Sequence, residues 1–320
     1  MTYLLLLIGF VLLIKGADFF VDGSSHIARA LHISPLIIGL TIVSLGTSSP
    51  EATISILAAI EGSAGVSLGN IVGSNILNTT LIIGLTALVF PLKVEDETIK
   101  KEIPFTLLGS VAFLVLVSDL FFRNSNINML SNSDGLILLL FLLIFFSYIF
   151  EVAKSSRKQR KEKNKQEKTP ARTWGKYIGI TIMGLIAIII GGELVVRSAT
   201  SIAFSFGLSE TLIGLTVIAI GSSLPELVTS ISAAIKKQSE IVLGNIVGSN
   251  IFNILFVLGT TAAITPLPVE NKIFTDIFIM LALTLLLLLF SRTKYKIGKA
   301  EGLILVLTYL IYMIYIIIRN

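Results

Sequence analysis

The sequence predicts an all-α membrane protein of ten transmembrane helices, arranged as two inverted five-helix repeats with helices 2 and 7 broken at the midplane. Three observations predict this: apolar stretches of spanning length along the whole chain, basic residues confined to one side, and an internal duplication. Of the 320 residues, 54% are apolar and only 14% are charged, and the mean hydropathy is +0.90. A soluble domain cannot hide so much apolar surface from water. A helix crossing a hydrocarbon core needs about 20 apolar residues, and ten such segments are read at 2–31, 34–60, 64–91, 101–122, 134–153, 173–206, 208–236, 239–266, 272–291 and 299–318. The first contains the run Tyr3 to Ile14, which has no basic region before it and no small-residue cleavage site after it. It is therefore read as a retained spanning helix rather than a leader.

Threading these segments alternately places about twenty of the 25 basic residues on one face: Arg29, Lys93, Lys100, Lys101, the 154–176 run, Lys236, Lys237 and Arg292 through Lys299. Only Arg123, Lys272 and Arg319 fall on the other. Basic loops stay on the cytoplasmic side, so a multi-pass protein of the cell membrane with both termini extracellular is expected. The same asymmetry accounts for the net charge of +5 without nucleic acid as a partner; the partner is the lipid bilayer. Lys154 to Arg172 is the one sustained charged stretch, and it divides the chain into a first repeat 1–153, a basic cytoplasmic linker 154–172 and a second repeat 173–320. The linker reads as a solvated, disordered connector, with contact to anionic lipid as the alternative.

Cysteine is absent and histidine occurs twice, which excludes disulfides, thiolate metal sites and cysteine nucleophiles. His26 and His32 lie near a helix end and have no counterpart in the second repeat. With no base placed for a serine nucleophile, an enzyme is not expected, nor is a resident cofactor.

The duplication carries the most information. A shift of 175 positions lays Asp18 to Glu95 over the second half without a gap. Ser34 through Val43 matches Ser209 through Ile218, Gly46-Thr47-Ser48-Ser49-Pro50-Glu51 matches Gly221-Ser222-Ser223-Leu224-Pro225-Glu226, and Leu68 through Ile76 is identical to Leu243 through Ile251. An odd number of crossings per copy inverts the second copy, and in transporters inverted repeats place the binding site at the midplane. In each copy the second helix is expected to break, because Pro50 and Pro225 have no amide hydrogen for the carbonyls of Gly46 and Gly221, and glycine weakens the helix there. Free carbonyls at bilayer depth need a polar partner.

Glu51 and Glu226 follow those prolines. An ionised carboxylate near the bilayer centre is costly unless paired, and Lys15 and Arg197, the basic residues placed within helices, hold non-equivalent repeat positions. A helix N-terminal acid is the bland reading; duplication at depth favours a cation site. Asn70, Ser74 and Asn78 are four apart and share one helix face, as do Asn245, Ser249 and Asn253. Gly69 and Gly73, with Gly244 and Gly248, have the spacing of close helix contacts, so the alternative for Asn70 and Asn245 is that they hold helices together. The donors are carboxylate, hydroxyl, amide and carbonyl oxygens, a hard set suited to Ca²⁺ and Na⁺. Two ionised glutamates balance one Ca²⁺, or several Na⁺ with help from Thr47, Ser48, Ser222 and Ser223. Competition for shared carboxylates gives antiport, with protons as further competitors. Asp18 and Glu193, equivalent acids of the first and sixth helices, are read as packing or solvated-cavity groups.

These paired motifs, Gly46 to Glu51 with Gly69 to Asn78 and Gly221 to Glu226 with Gly244 to Asn253, resemble the two alpha repeats of the cation/calcium exchanger superfamily, specifically its prokaryotic sodium/calcium exchangers. The resemblance implies that helices two, three, seven and eight enclose four cation positions while the first and sixth slide to alternate access. It implies that Glu51 and Glu226 hold Ca²⁺ with backbone oxygens of Thr47 and Ser222. It also implies that the carbonyls of Ser44 and Ala219, with hydroxyls of Thr47, Ser48, Ser74, Ser222, Ser223 and Ser249, hold Na⁺, and that Asn78 and Asn253 complete the centre. Some relatives have aspartate at the position of Asn253 and many have threonine at that of Ser222. The expected function is Na⁺/Ca²⁺ antiport by alternating access, with a proton-coupled or potassium-dependent Ca²⁺ exchanger as the alternative. The hydroxyl form of the motif, present twice, favours sodium.

Overall fold

The computed structural model describes residues 2–96, 98–122, 127–163, 171–206 and 219–319. The repeat match at Ser209 to Ile218, Arg123 and linker residues 164–170 lie outside the described residues. The main elements are α1 (Thr2–Leu31), α2 (Pro35–Thr47), α3 (Ser49–Ile60), α4 (Ala64–Val89), α5 (Ile103–Leu116), α6 (Asn132–Lys163), α7 (Ala171–Ser205), α8 (Ala219–Ser222), α9 (Leu224–Ile235), α10 (Ser239–Ile264), α11 (Asn271–Arg292) and α12 (Lys299–Arg319). Seven of them, α1, α4, α6, α7, α10, α11 and α12, contain apolar stretches long enough to cross a membrane among the described residues. The expected second span, 34–60, is the pair α2 and α3, and neither piece alone has spanning length. Helix α6 runs on to Lys163, so the expected connector begins as helix. Its Lys, Arg, Glu and Gln residues are good helix formers.

Contacts group the chain into two compact units, Met1–Pro50 with Tyr148–Asn245, and Glu51–Ser147 with Ile246–Asn320. Each draws on both halves of the sequence.

In the first unit, α1 buries the stripe Gly9, Leu13, Gly16, Phe20 and Ser24, spaced three and four apart on one face. That stripe lies against α7, and glycine permits the approach. A Cβ on Gly16 would meet the Gly184 carbonyl at 2.9 Å, and one on Gly184 would meet the Phe20 amide nitrogen at 2.5 Å. Leu4, Leu7, Val11 and Ile14 of α1 are exposed, which suits lipid as the solvent. At the end of α9, Lys236 donates to the Asp18 carbonyl at 2.8 Å and pairs with Asp22 at 2.8 Å, while Ser232 donates to the Asp18 carboxylate at 2.8 Å. Asp18 is thus a packing contact. Glu193 pairs with Arg197 one turn on, on an exposed face.

In the second unit, two short antiparallel ladders tie the helix ends. Leu92–Lys93 (β1) pairs with Lys296–Ile297 (β4), and Met129–Leu130 (β2) with Leu267–Pro268 (β3). Leu92 and Leu267 are repeat equivalents, so the same tie is made twice. Apart from these ladders the regular structure of the described residues is helical. Arg319 closes α12 onto Asp276 of α11 through two hydrogen bonds of 2.9 and 3.0 Å. In the first unit Gly244 makes the expected close contact: a Cβ there would lie 2.6 Å from the Leu36 carbonyl. At Gly69 and Gly73 no described residue lies within 4 Å of that position, and the repeat counterparts of Leu36 to Leu40 lie outside the described residues.

Candidate functional site

The interrupted helices set the site. Helix α2 ends at Thr47, Ser48 is non-helical at φ −81° and ψ 5°, and α3 begins at Ser49. Its equivalent Ser223, at φ −95° and ψ 10°, separates α8 from α9. The break therefore falls two residues after each motif glycine. Gly46 itself stays helical, because its lack of a side chain serves packing: a Cβ there would lie 2.9 Å from Leu185 of α7. Proline then occupies the second position of α3 and of α9, where a missing amide hydrogen costs nothing, and each glutamate follows in the first turn.

All the expected side-chain donors are buried, with Glu51 and Glu226 each 1% exposed. Ser44, Thr47, Ser48, Ser222, Ser223 and Glu226 belong to the first unit, and Glu51, Ser74, Asn78, Ser249 and Asn253 to the second. Ala219 opens α8.

Within the first unit, residues from opposite sequence halves meet. Ser48 Oγ donates to Glu226 Oε1 at 3.0 Å, while Glu226 Oε2 is buried with no hydrogen-bond partner among the described residues. Thr47 Oγ1 donates to Asn245 Oδ1 at 3.0 Å and lies 3.4 Å from the Ser44 carbonyl, which also accepts the Ser48 amide at 3.0 Å. Asn245 donates to Ser230 Oγ at 3.1 Å. A buried carboxylate carries a large desolvation cost unless hydrogen bonds or a positive charge offset it.

The second unit repeats the pattern of the clamp. Asn70 donates to Ser55 Oγ at 2.9 Å, the counterpart of Asn245 with Ser230, and to the Glu51 carbonyl at 3.4 Å. Both asparagines therefore tie α4 and α10 to the helix before them. Deeper in these helices, Asn78 and Asn253 stand at the first residue of π-helical turns, Asn78–Ile82 and Asn253–Leu258, a distortion that recurs at functional sites. Their amide nitrogens are used in a crossed arrangement: Asn78 donates to Asn250 Oδ1 at 3.1 Å and Asn253 donates to Asn75 Oδ1 at 3.1 Å. Their amide oxygens, with Ser249 Oγ, are buried and have no hydrogen-bond partner among the described residues. These are neutral acceptors of the kind Ca²⁺ and Na⁺ take. Among the described residues no cluster of three His, Asp or Glu side chains forms a metal centre, so any cation here depends on such neutral oxygens as well as on carboxylate.

Asn75 and Asn250 did not emerge as site residues from the sequence. The four-residue stripe through Asn70, Ser74 and Asn78 passes them by, since they lie about 100° around the helix from Ser74 and Ser249. Their signal was the i, i+3 spacing to Asn78 and Asn253, inside the segment that is identical in both repeats.

Comparison with known proteins gives a consistent result. The family model described as sodium/calcium exchanger protein matches residues 1–150 and 176–318. The chain is 40% identical to the putative antiporter CaxA of Alkalimonas amylolytica, over 96% of this chain and 95% of that one. It is 34% identical to the sodium/calcium exchanger MaX1 of Methanosarcina acetivorans, over 98% and 97%. A solved structure of the sodium-calcium exchanger NCX_Mj superposes with a TM-score of 0.82 at 33% identity, covering 97% of this chain and 98% of that one.

Proposed function

Because the chain belongs to the sodium/calcium exchanger protein family, and is thus a multi-pass membrane antiporter of Ca²⁺ and other cations, we propose that it exchanges Na⁺ for Ca²⁺ by alternating access at one site shared by Glu51 and Glu226. One observation carries this reading: Glu226, buried, has Oε1 fixed by Ser48 from the other repeat and Oε2 with no hydrogen-bond partner among the described residues. Duplication supports the same role for Glu51, which holds the same place after the same proline.

In this proposal the chain crosses the membrane ten times as two inverted repeats, 1–153 and 173–320, with helices 2 and 7 broken at the midplane, the 154–172 linker cytoplasmic and both termini extracellular. The two carboxylates neutralise one Ca²⁺, with Asn78, Asn253 and the backbone oxygens of Thr47 and Ser222 completing the hard oxygen shell. Sodium ions take the hydroxyls of Thr47, Ser48, Ser74, Ser222, Ser223 and Ser249 and the carbonyls of Ser44 and Ala219. At Ser44 a sodium ion displaces the weak contact from Thr47 Oγ1, 3.4 Å long. Both cation sets need the same carboxylates, so loading one expels the other, and coupling follows from competition.

The test is uptake of radioactive Ca²⁺ into vesicles containing the purified protein. An outward Na⁺ gradient drives uptake, and matched proton or K⁺ gradients do not. Uptake driven by protons, or uptake that requires K⁺, overturns the sodium assignment in favour of the corresponding exchanger.

A further inference from the structure

We propose that Asn75 and Asn250 are positioning residues that aim the amide oxygens of Asn78 and Asn253 at the transported cation, each acting across to the opposite repeat. The inference rests on the exchanger reading above and adds to it two residues with a defined partner each.

An asparagine amide has two ends of similar shape, and only the oxygen is useful to a cation. What sets its orientation is the partner of its nitrogen. Asn253 gives its N–H to Asn75 Oδ1 and Asn78 gives its N–H to Asn250 Oδ1, both at 3.1 Å. With each nitrogen engaged, both oxygens stay buried and, among the described residues, without hydrogen-bond partners. Asn75 and Asn250 are in turn fixed by their own nitrogens. Asn75 Nδ2 donates to the Asn250 carbonyl at 3.3 Å, and Asn250 Nδ2 donates to Thr79 Oγ1 at 2.9 Å. Removal of either acceptor lets the partner amide turn, so that a donor replaces an acceptor in front of the cation.

The symmetry sharpens the argument. Asn75 and Asn250 are repeat equivalents, as are Asn78 and Asn253, yet the bonds run from 253 to 75 and from 78 to 250. Each half of the protein orients the ligand of the other, so the two ligand amides are held alike. Since the acceptor at 75 requires a donor at 253, the network also specifies an amide, rather than an ionised carboxylate, at that position.

The crossed pattern makes the test specific. Vesicles carrying Asn75→Ala or Asn250→Ala are expected to show an apparent KM for Ca²⁺ raised about tenfold per folded transporter, and a correspondingly weaker Ca²⁺-induced rise in thermal unfolding temperature in detergent. Thr79→Val, nearly isosteric and mild for the fold, is expected to raise KM two- to fivefold by loosening Asn250. In double mutants, Asn75→Ala adds little to Asn253→Ala but adds its full effect to Asn78→Ala, with the reverse for Asn250→Ala. A structural role alone lowers unfolding temperature or yield and leaves KM unchanged. Unchanged KM in Thr79→Val and in whichever alanine variants fold, or coupling within one helix rather than across repeats, overturns the proposal. A wild-type protein showing neither exchange nor cation-induced stabilisation instead overturns the exchanger reading.

Discussion

Ser48 Oγ lies 3.0 Å from Glu226 Oε1, and the two residues come from opposite halves of the sequence. Ser48 sits at the non-helical residue between α2 and α3, so the break in one repeat delivers the hydroxyl that holds the acid of the other. A hydrogen bond to a charged group contributes about 1.5–3 kcal/mol, and each 1.4 kcal/mol is about tenfold in affinity. Ser48→Ala is therefore expected to weaken Ca²⁺ affinity by about tenfold or more, while Ser48→Thr retains most of it. Initial rates of Ca²⁺ uptake against Ca²⁺ concentration measure the difference.

Glu226→Gln keeps an oxygen for the Ser48 hydroxyl and removes the charge. Exchange is expected to vanish, while the protein elutes as a folded species and unfolds at a temperature equal to or above that of wild type, because a buried charge has been relieved of its desolvation cost. Glu51→Gln is expected to behave the same way. Exchange at the wild-type rate in either variant shows that the carboxylate is not a cation ligand.

Part of the candidate site was legible in the sequence. Duplication singled out Glu51 and Glu226, and the structure buries both. Proline placed the breaks to within a few residues. The exact position of each break was not legible, because glycine serves both backbone freedom and close packing, and at Gly46 the neighbouring Leu185 adds the second. The π-helical turns at Asn78 and Asn253 have no residue signature. Asn75 and Asn250 were hidden by a reading that followed four-residue spacing alone.

Asn253→Asp tests whether the amide network sets the chemistry of the site. A carboxyl group donates to Asn75 Oδ1 only while protonated; ionised, it loses that bond and adds a third negative charge. The variant is expected to keep near-wild-type Ca²⁺ dependence at acid pH and to depart from it as pH rises through the new group's titration, with cation affinity increased and turnover slowed. Matched pH profiles of KM and maximal rate for the variant and the wild type reveal this as an additional titration, and superimposable profiles count against it.

The pair Arg319 and Asp276 makes a separate prediction about stability. Asp276 is buried in α11, and Arg319 of α12 reaches it with two hydrogen bonds, assisted by the Tyr312 hydroxyl at 3.3 Å. Removing one partner of a buried pair strands the other charge, at a cost of about 3–5 kcal/mol; partial exposure of Arg319 reduces that through solvent screening. Arg319→Met is thus expected to lower the unfolding temperature in detergent clearly, and the double variant Arg319→Met with Asp276→Leu to recover most of the loss, because no charge is then left buried. Additive losses in the double variant mean that the pair contributes through packing rather than charge. Since both residues lie away in the chain from Glu51, Glu226, Asn78 and Asn253, the proposed ligands, the KM for Ca²⁺ per folded transporter is expected to stay at the wild-type value throughout the series.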